Sequence, residues 1–326
     1  MLLLTGATGL VGGELLARLG DRPVVLLKRP EADLTKPLLG LAEPRYAELQ
    51  DAVTAIVHCA ADTRFYLPLG EARAVNTEGT RRLLEFASGC RRLEKFAYIS
   101  TVFVAGLTPG RIPEAPLPPP AAFCNTYQQS KYEAEQEVLG SGLPAAVFRL
   151  SSIAGDSCTG EVRRLTYVHQ LIRLLPRNVL PVAPCDPAAP IDLIPSDWAA
   201  DALVSLFDHS FLPGRVCHVV AGPEASLSAR EMLDLTLAQL DGAVRVPDLV
   251  SLAEYQEYVE RSRQSGDRLL NELLRVLGYF LPHLGLRQIF ERHPGLPPPP
   301  DIGSYYPKVV RYCLAASASL SSAARR

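Results

Sequence analysis

The sequence predicts an α/β fold built on a parallel, doubly wound sheet, followed by a smaller, mainly helical lobe. Three observations carry this. Short apolar runs lie at Leu2–Thr5, Val24–Lys28, Thr54–Cys59, Lys95–Ser100 and Ala145–Leu150. They lack polar alternation, as strands buried on both faces do. Helical stretches separate them near residues 10–20, 70–89 and 126–140, and strand–helix alternation is the mark of a parallel sheet. The first strand also leads straight into a glycine-rich turn, "TGATGLVGG", ahead of an amphipathic helix.

After residue 150 the pattern loosens. "IDLIPSDWAADALVSLF" reads as a short strand and a helix that Ser196 would cap, and "RVCHVV" as another strand. "SLSAREMLDLTLAQL" reads as a capped helix, and residues 251–293 are mainly helical. The proline clusters "IPEAPLPPPAAF" and "PGLPPPP" break the chain, the first as a stiff loop over a site. The expected division is a nucleotide-binding unit at 1–153, to which 191–220 return, and a substrate lobe at 154–190 and 221–315. Residues 316–326 read as a tail without regular structure.

Composition narrows the function. Of 326 residues, 48% are apolar, enough for a large core and against disorder. A net charge of -2 gives no basic excess, so nucleic acid and anionic membrane are not expected partners. The seven cysteines include no C-x-x-C and read as reduced thiols. The six histidines show no metal spacing, so no metal site is expected. "MLLLTGATG" has neither a basic segment nor a long apolar run, which predicts a cytoplasmic protein.

Gly6, Gly9 and Gly12 form a G-x-x-G-x-x-G array between strand and helix. Such glycines let the backbone approach a pyrophosphate, while the N–H groups around Thr8, Leu10 and Val11 point at it with the helix dipole behind them. This is the turn of a Rossmann fold, and it implies a dinucleotide. Lys28 and Arg29 follow the second strand, where cations suit the 2′-phosphate of NADP better than the ribose of NAD. The expected cofactor is NADPH rather than NADH. Asp33, followed by Leu34, would face the adenine or cap its own loop. Cys59, Ala60 and Ala61 end the third strand with residues small enough for a dinucleotide to lie close. His58 reads equally as a packed strand end or a contact. Asn76, a poor helix former, would bridge to a neighbouring strand.

"NTYQQSKYEAE" sets Tyr127 and Lys131 on one helix face. The spacing alone is close to chance. Upstream, however, a strand ends in Ser100 and Thr101. Carbonyl reduction needs hydride at carbon and a proton at oxygen. Tyr127 would supply the proton, the Lys131 ammonium would lower its pKa and reach the nicotinamide ribose, and the Thr101 hydroxyl would orient the same oxygen.

The ordered series TGATGLVG, HCAA, NTEGT, YISTVFVAG and Y-x-x-x-K resembles the extended short-chain dehydrogenase/reductase superfamily. "DLTKPLLGL", "HCAADTRF" and "FRLSSIAGDSCTG" resemble its thioester reductase and fatty acyl-CoA reductase (male-sterility-type) branch. The resemblance covers roughly residues 1–205. It implies Thr101, Tyr127 and Lys131 as catalytic residues and NADPH reduction of acyl thioesters to aldehydes or alcohols. The chain departs from that branch in having almost nothing between Arg29 and Asp33, and Leu150 where proline is usual after Arg149. On the substrate side the candidates are Ser100, Phe103, Arg64, Ser152 and Gly155, Arg64 reading also as an exposed salt bridge. The substrate is a small carbonyl compound or a thioester-linked acyl group, and a homodimer stays open. Two alternatives share the fold: a nucleotide-sugar epimerase or dehydratase holding NAD, and a non-catalytic nucleotide sensor.

Overall fold

The computed structural model describes residues 1–242, 244–279 and 281–323. Six parallel strands form the main sheet: β1 (Leu2–Thr5), β2 (Val24–Leu27), β3 (Ala55–His58), β4 (Lys95–Thr101), β6 (Ala145–Leu150) and β11 (Val216–Val219), in the order β11-β6-β4-β3-β1-β2. The side chains of β1 show why no polar alternation appears in its sequence. Leu2 and Leu4 enter the core under helices α1 (Leu10–Arg18) and α7 (Ser196–His209), and Leu3 enters the core on the opposite face. That second face is covered by α2 (Glu43–Ala52), α4 (Glu78–Ser88) and α5 (Thr126–Leu139), through Leu49, Leu83, Phe86 and Ala134 among others. Each such side chain is worth roughly 1.5–3 kcal/mol when fully buried.

The chain runs from β1 outward to β2, then crosses back to place β3 on the other side of β1. The strand order reverses there, and the crevice beyond the carboxyl ends of β1 and β3 is where such sheets bind ligands. The helical stretch expected at 70–89 is two helices, α3 (Leu69–Asn76) and α4, joined at Thr77.

The second layer of the molecule lies at the sheet's carboxyl edge. Helices α6 (Tyr167–Leu174), α8 (Ala229–Leu237) and α11 (Ile302–Ala323) bury Ile172, Met232, Tyr305 and Val309 together. Helices α9 (Leu252–Ser265) and α10 (Arg268–Leu277) build a neighbouring cluster around Leu180, Tyr255 and Leu277. Four two-stranded ladders stitch these parts: β7 (Ser152–Ile153) with β10 (Leu193–Ile194), β9 (Pro190–Ile191) with β12 (Leu227–Ser228), β8 (Val182–Pro184) with β13 (Asp248–Val250), and β5 (Gly110–Ile112) with β14 (Gln288–Phe290). The last ladder, with Gln288 Nε2 donating to the Gly106 and Thr108 carbonyls at 2.9 and 2.7 Å, clamps the start of the proline loop.

Two local expectations need correction. Ser196 does not cap α7: Pro195 is the N-cap, and the buried Ser196 N–H donates to Gly155 O at 2.9 Å. Residues 316–323, read as an irregular tail, continue α11, while residues 324–326 lie outside the described residues. Ser228 caps α8 as expected, in a reciprocal pair with Glu231. Among the described residues no helix is long and apolar enough to cross a membrane.

Candidate active site

The glycine turn closes against the end of β3. Gly6 has φ +74°, and a Cβ there would meet Ala60 N at 2.6 Å. A Cβ on Gly12 would meet Gly6 O at 2.2 Å. Only glycine lets the turn pack this tightly. Gly9 is the N-cap of α1 and offers no side-chain cap, so the N–H groups of the first helical turn keep their dipole for an anion. Thr8 is exposed at the tip, and Leu10 and Val11 are half-buried. This cradle fits a pyrophosphate. Arg163, not selected from the sequence, pairs with Glu14 at 3.1 Å and lies over Gly13.

Lys28 and Arg29 are exposed beyond β2, and among the described residues neither joins a salt bridge. Asp33 turns to its own loop: it accepts from Thr35 N at 2.9 Å and Thr35 Oγ1 at 2.7 Å, which holds its carboxyl below the usual range. Leu34 packs with the core under α4. Cys59, Ala60 and Ala61 line the far side of the crevice, and burial pushes the Cys59 thiol up to about 12. His58 is a packed strand end. It bonds Thr5 Oγ1 at 2.7 Å and Thr80 Oγ1 at 2.9 Å, and burial drives its pKa down to about 3.

The chemistry-bearing residues converge above β4. Asn125 caps α5 by accepting from Gln128 N at 3.0 Å and fixes the helix laterally through Tyr279 O at 2.7 Å. Tyr127 therefore sits in the first turn of α5, with its phenol beside Thr101. Lys131, one turn on, is buried, and its Nζ donates to Ile99 O at 2.8 Å and lies 4.0 Å from the Tyr98 ring centroid. This corrects one expectation. The ammonium is engaged by the strand, and burial dominates at the phenol, raising Tyr127 to about 12 against the opposing effect of Thr101. At neutral pH the Tyr127 phenol is thus protonated. Burial also lowers Lys131 to about 7, partly offset by Glu135 and Cys59.

Ser100 is not in the crevice. It is buried, and its Oγ donates to Glu135 at 2.7 Å. Glu135 and Arg149, both fully buried, form an ion pair at 2.5 Å, and Arg149 also donates to Pro113 O at 3.2 Å and Ala115 O at 2.9 Å. One buried pair thus ties α5, β6 and the proline loop. Sequence reading missed it, although Glu135 on a buried helix face was the available signal. Arg64 pairs with Asp62 at 2.6 Å on the surface. Asn76 bridges the loop after β3, rather than a strand, to α5: it bonds Asp62 N at 2.7 Å and Ser130 Oγ at 2.9 Å. Gly155 is buried, where a Cβ would meet Glu161 O at 2.9 Å, so it packs rather than lines the site.

Glu114, Cys217 and His293 bring one ligand atom each within 4.8 Å of one another, an assembly invisible in linear spacing. Glu114 is engaged there as a tie for the proline loop, accepting from His218 N at 2.5 Å and lying 3.0 Å from His293 Nδ1.

A cavity of about 180 Å3 is lined by Phe103, Ser152, Tyr167 and apolar residues of the lobe. An aromatic series leads into it. Tyr127 stacks on Phe65 at 5.4 Å, Phe65 meets Tyr167 at 5.9 Å, and Tyr167 meets Phe103 at 5.8 Å. Phe103 then meets His283 at 4.7 Å. Ser152 and Tyr167 share a hydrogen bond of 2.6 Å. Phe103 and Ser152 were selected from sequence; Phe65, Tyr167 and His283 were not.

Residues 26–203, more than half the chain, match the NAD-binding family described as "Male sterility protein". The isonitrile lipopeptide synthase of Streptomyces coeruleorubidus is 34% identical over 67% of this chain, which spans 18% of that protein's length. Among solved structures, the terminal R domain of the myxalamid PKS-NRPS biosynthetic pathway is 27% identical with a TM-score of 0.76, over 97% of this chain and 91% of that one. The reductase domain of a non-ribosomal peptide synthetase from Mycobacterium tuberculosis shares the fold, at 21% identity and TM-score 0.66 over 97% and 92% of the two chains. With its six-stranded parallel sheet and glycine turn, the chain belongs to the male sterility protein family of NAD-binding domains, oxidoreductases of the extended short-chain dehydrogenase/reductase type.

Proposed function

We propose that this chain is an NADPH-dependent reductase of acyl thioesters in secondary metabolism. The observation that carries the reading is the buried, protonated Tyr127 phenol beside Thr101, stacked on Phe65, which in turn meets Tyr167 on the cavity wall. Residues 1–153, with 191–220 returning to them, would hold the cofactor, and the lobe of 154–190 and 221–315 the acyl group. Gly6, Gly9 and Gly12 would receive the pyrophosphate, and Lys28 and Arg29 the 2′-phosphate. When held there, the cofactor would supply the hydride that the thioester carbonyl carbon takes up. Tyr127 gives its proton to the carbonyl oxygen while Thr101 orients that atom. The carbonyl then re-forms, the C–S bond breaks, and the thiol leaves with the proton. Thioester, NADPH and one proton become aldehyde, thiol and NADP⁺. Similarity to domains of peptide synthetases supports a thioester delivered on a carrier.

The test is NADPH oxidation by the purified chain with an acyl N-acetylcysteamine thioester, with the aldehyde trapped and identified. Tyr127→Phe should lower kcat by about 10²–10⁴-fold with an unchanged circular dichroism spectrum. Full activity in that variant would end the assignment. NAD released on denaturation, with no thioester turnover, would favour the epimerase reading instead.

A further inference from the structure

The cavity beside Tyr127 has a shape and one polar feature that the reaction itself does not use. Its volume is about 180 Å3, and its walls include Leu171, Ile172, Leu180, Met232, Leu233 and Leu281. A dry apolar cavity of ~150 Å3 takes up benzene, so this one has room for a chain of about six to eight carbons. Tyr306 and Thr236, sharing a hydrogen bond of 2.9 Å, are among its lining residues. Polar groups along the wall are already satisfied. Gln288 donates to two carbonyls, Ser152 bonds Tyr167, and the Asp192 carboxylate accepts from Ala221 N and Gly222 N at 2.8 and 2.9 Å.

His283 differs. Its Nδ1 is buried and, among the described residues, has no hydrogen-bond partner. The Gln128 Oε1 accepts from Cys124 N at 2.9 Å, which turns the amide N–H group toward His283 Nε2. Nε2 is then the acceptor of that contact and Nδ1 carries the hydrogen. An unsatisfied buried donor costs stability unless something accepts from it.

We propose that the cavity binds an aliphatic acyl chain of about six to eight carbons, bearing an oxygen acceptor near the thioester that His283 Nδ1 holds. The proposal rests on the thioester reductase reading and adds to it the class of acyl group.

The experiment measures kcat/KM with NADPH for straight-chain acyl N-acetylcysteamine thioesters from acetyl to dodecanoyl. The value should climb about three- to four-fold per methylene, then level or fall beyond about eight carbons. Leu233→Trp, which fills the wall, should move that break to shorter chains, so that the ratio of octanoyl to acetyl kcat/KM falls. His283→Phe should lower kcat/KM for the 3-oxo-octanoyl thioester about five- to ten-fold relative to that for the octanoyl thioester, and an unchanged ratio would overturn the role of His283. Equal kcat/KM across all lengths in the unaltered chain would overturn the inference while the reductase reading stood, and this series decides even if a variant fails to fold. A uniform loss at every length in Leu233→Trp would also overturn it. No turnover of any thioester would remove the reading beneath it.

Discussion

Tyr127 and Lys131 show how burial assigns charge. The phenol near 12 stays protonated across the working range, and the buried ammonium near 7 is the group that titrates. Since kcat/KM reports groups of the free enzyme, it should fall as pH rises through about 7, where Lys131 loses its proton. At saturating NADPH the anionic cofactor should hold the ammonium, shifting the limb of kcat to higher pH. Lys131→Met should give a low, flat profile between pH 6 and 9. A limb unchanged in that variant would assign the titration to another group. The pair's position on one helix face was legible in the sequence. Its protonation was not, because that depends on desolvation and on Ile99 O, 32 residues away in sequence.

At the scale of elements, the site depends on four pieces meeting at one buried ion pair. Glu135 from α5, Arg149 from β6 and the carbonyls of Pro113 and Ala115 form a closed set, with Ser100 from β4 completing it. Arg149→Met leaves Glu135 buried without its partner, a loss of about 3–5 kcal/mol. The double variant Glu135→Gln with Arg149→Met should recover part of this, readable as the shift in urea midpoint at constant slope. A double variant no more stable than the single one would show that the arginine acts through packing alone. The elements themselves were legible: β1 and β6 fall where the apolar runs place them, and α5 where the helical stretch near 126–140 does. Ser100 was misassigned because adjacent residues at a strand end face opposite sides, and only the packed α5 shows which side is the site.

For the whole molecule, buried neutral histidines set the acid limit. His58 and His218 are fully buried and titrate near 3. Burial is the main cause at both, aided by Lys131 at His58 and by Arg149 and His293 at His218. Both are free to protonate near 6.5 in the unfolded chain. Between those values the unfolded state binds more protons, so stability is complete above about pH 6.5 and lost as pH falls toward 3. The slope is at most about 1.4 kcal/mol per pH unit for each group. Urea midpoints between pH 7 and 4 measure it, and His58→Asn should reduce the slope by about one proton. An unchanged slope would show that His58 is charged in the folded state.

The sequence by itself determined the parallel sheet, the glycine turn over the β1–β3 crevice and the helix carrying Tyr127 and Lys131. Those features follow from local rules: apolar runs, glycine backbone freedom and helical spacing act over a few residues. Tertiary structure alone decided the protonation of the pair, the inward turn of Ser100, and the tie between Glu114 and His293, whose side chains meet across 179 positions. It also decided the cavity, whose walls come from segments spread between Val102 and Tyr306. Burial and cavity shape are properties of surfaces brought together from distant parts of the chain, and no local pattern encodes them.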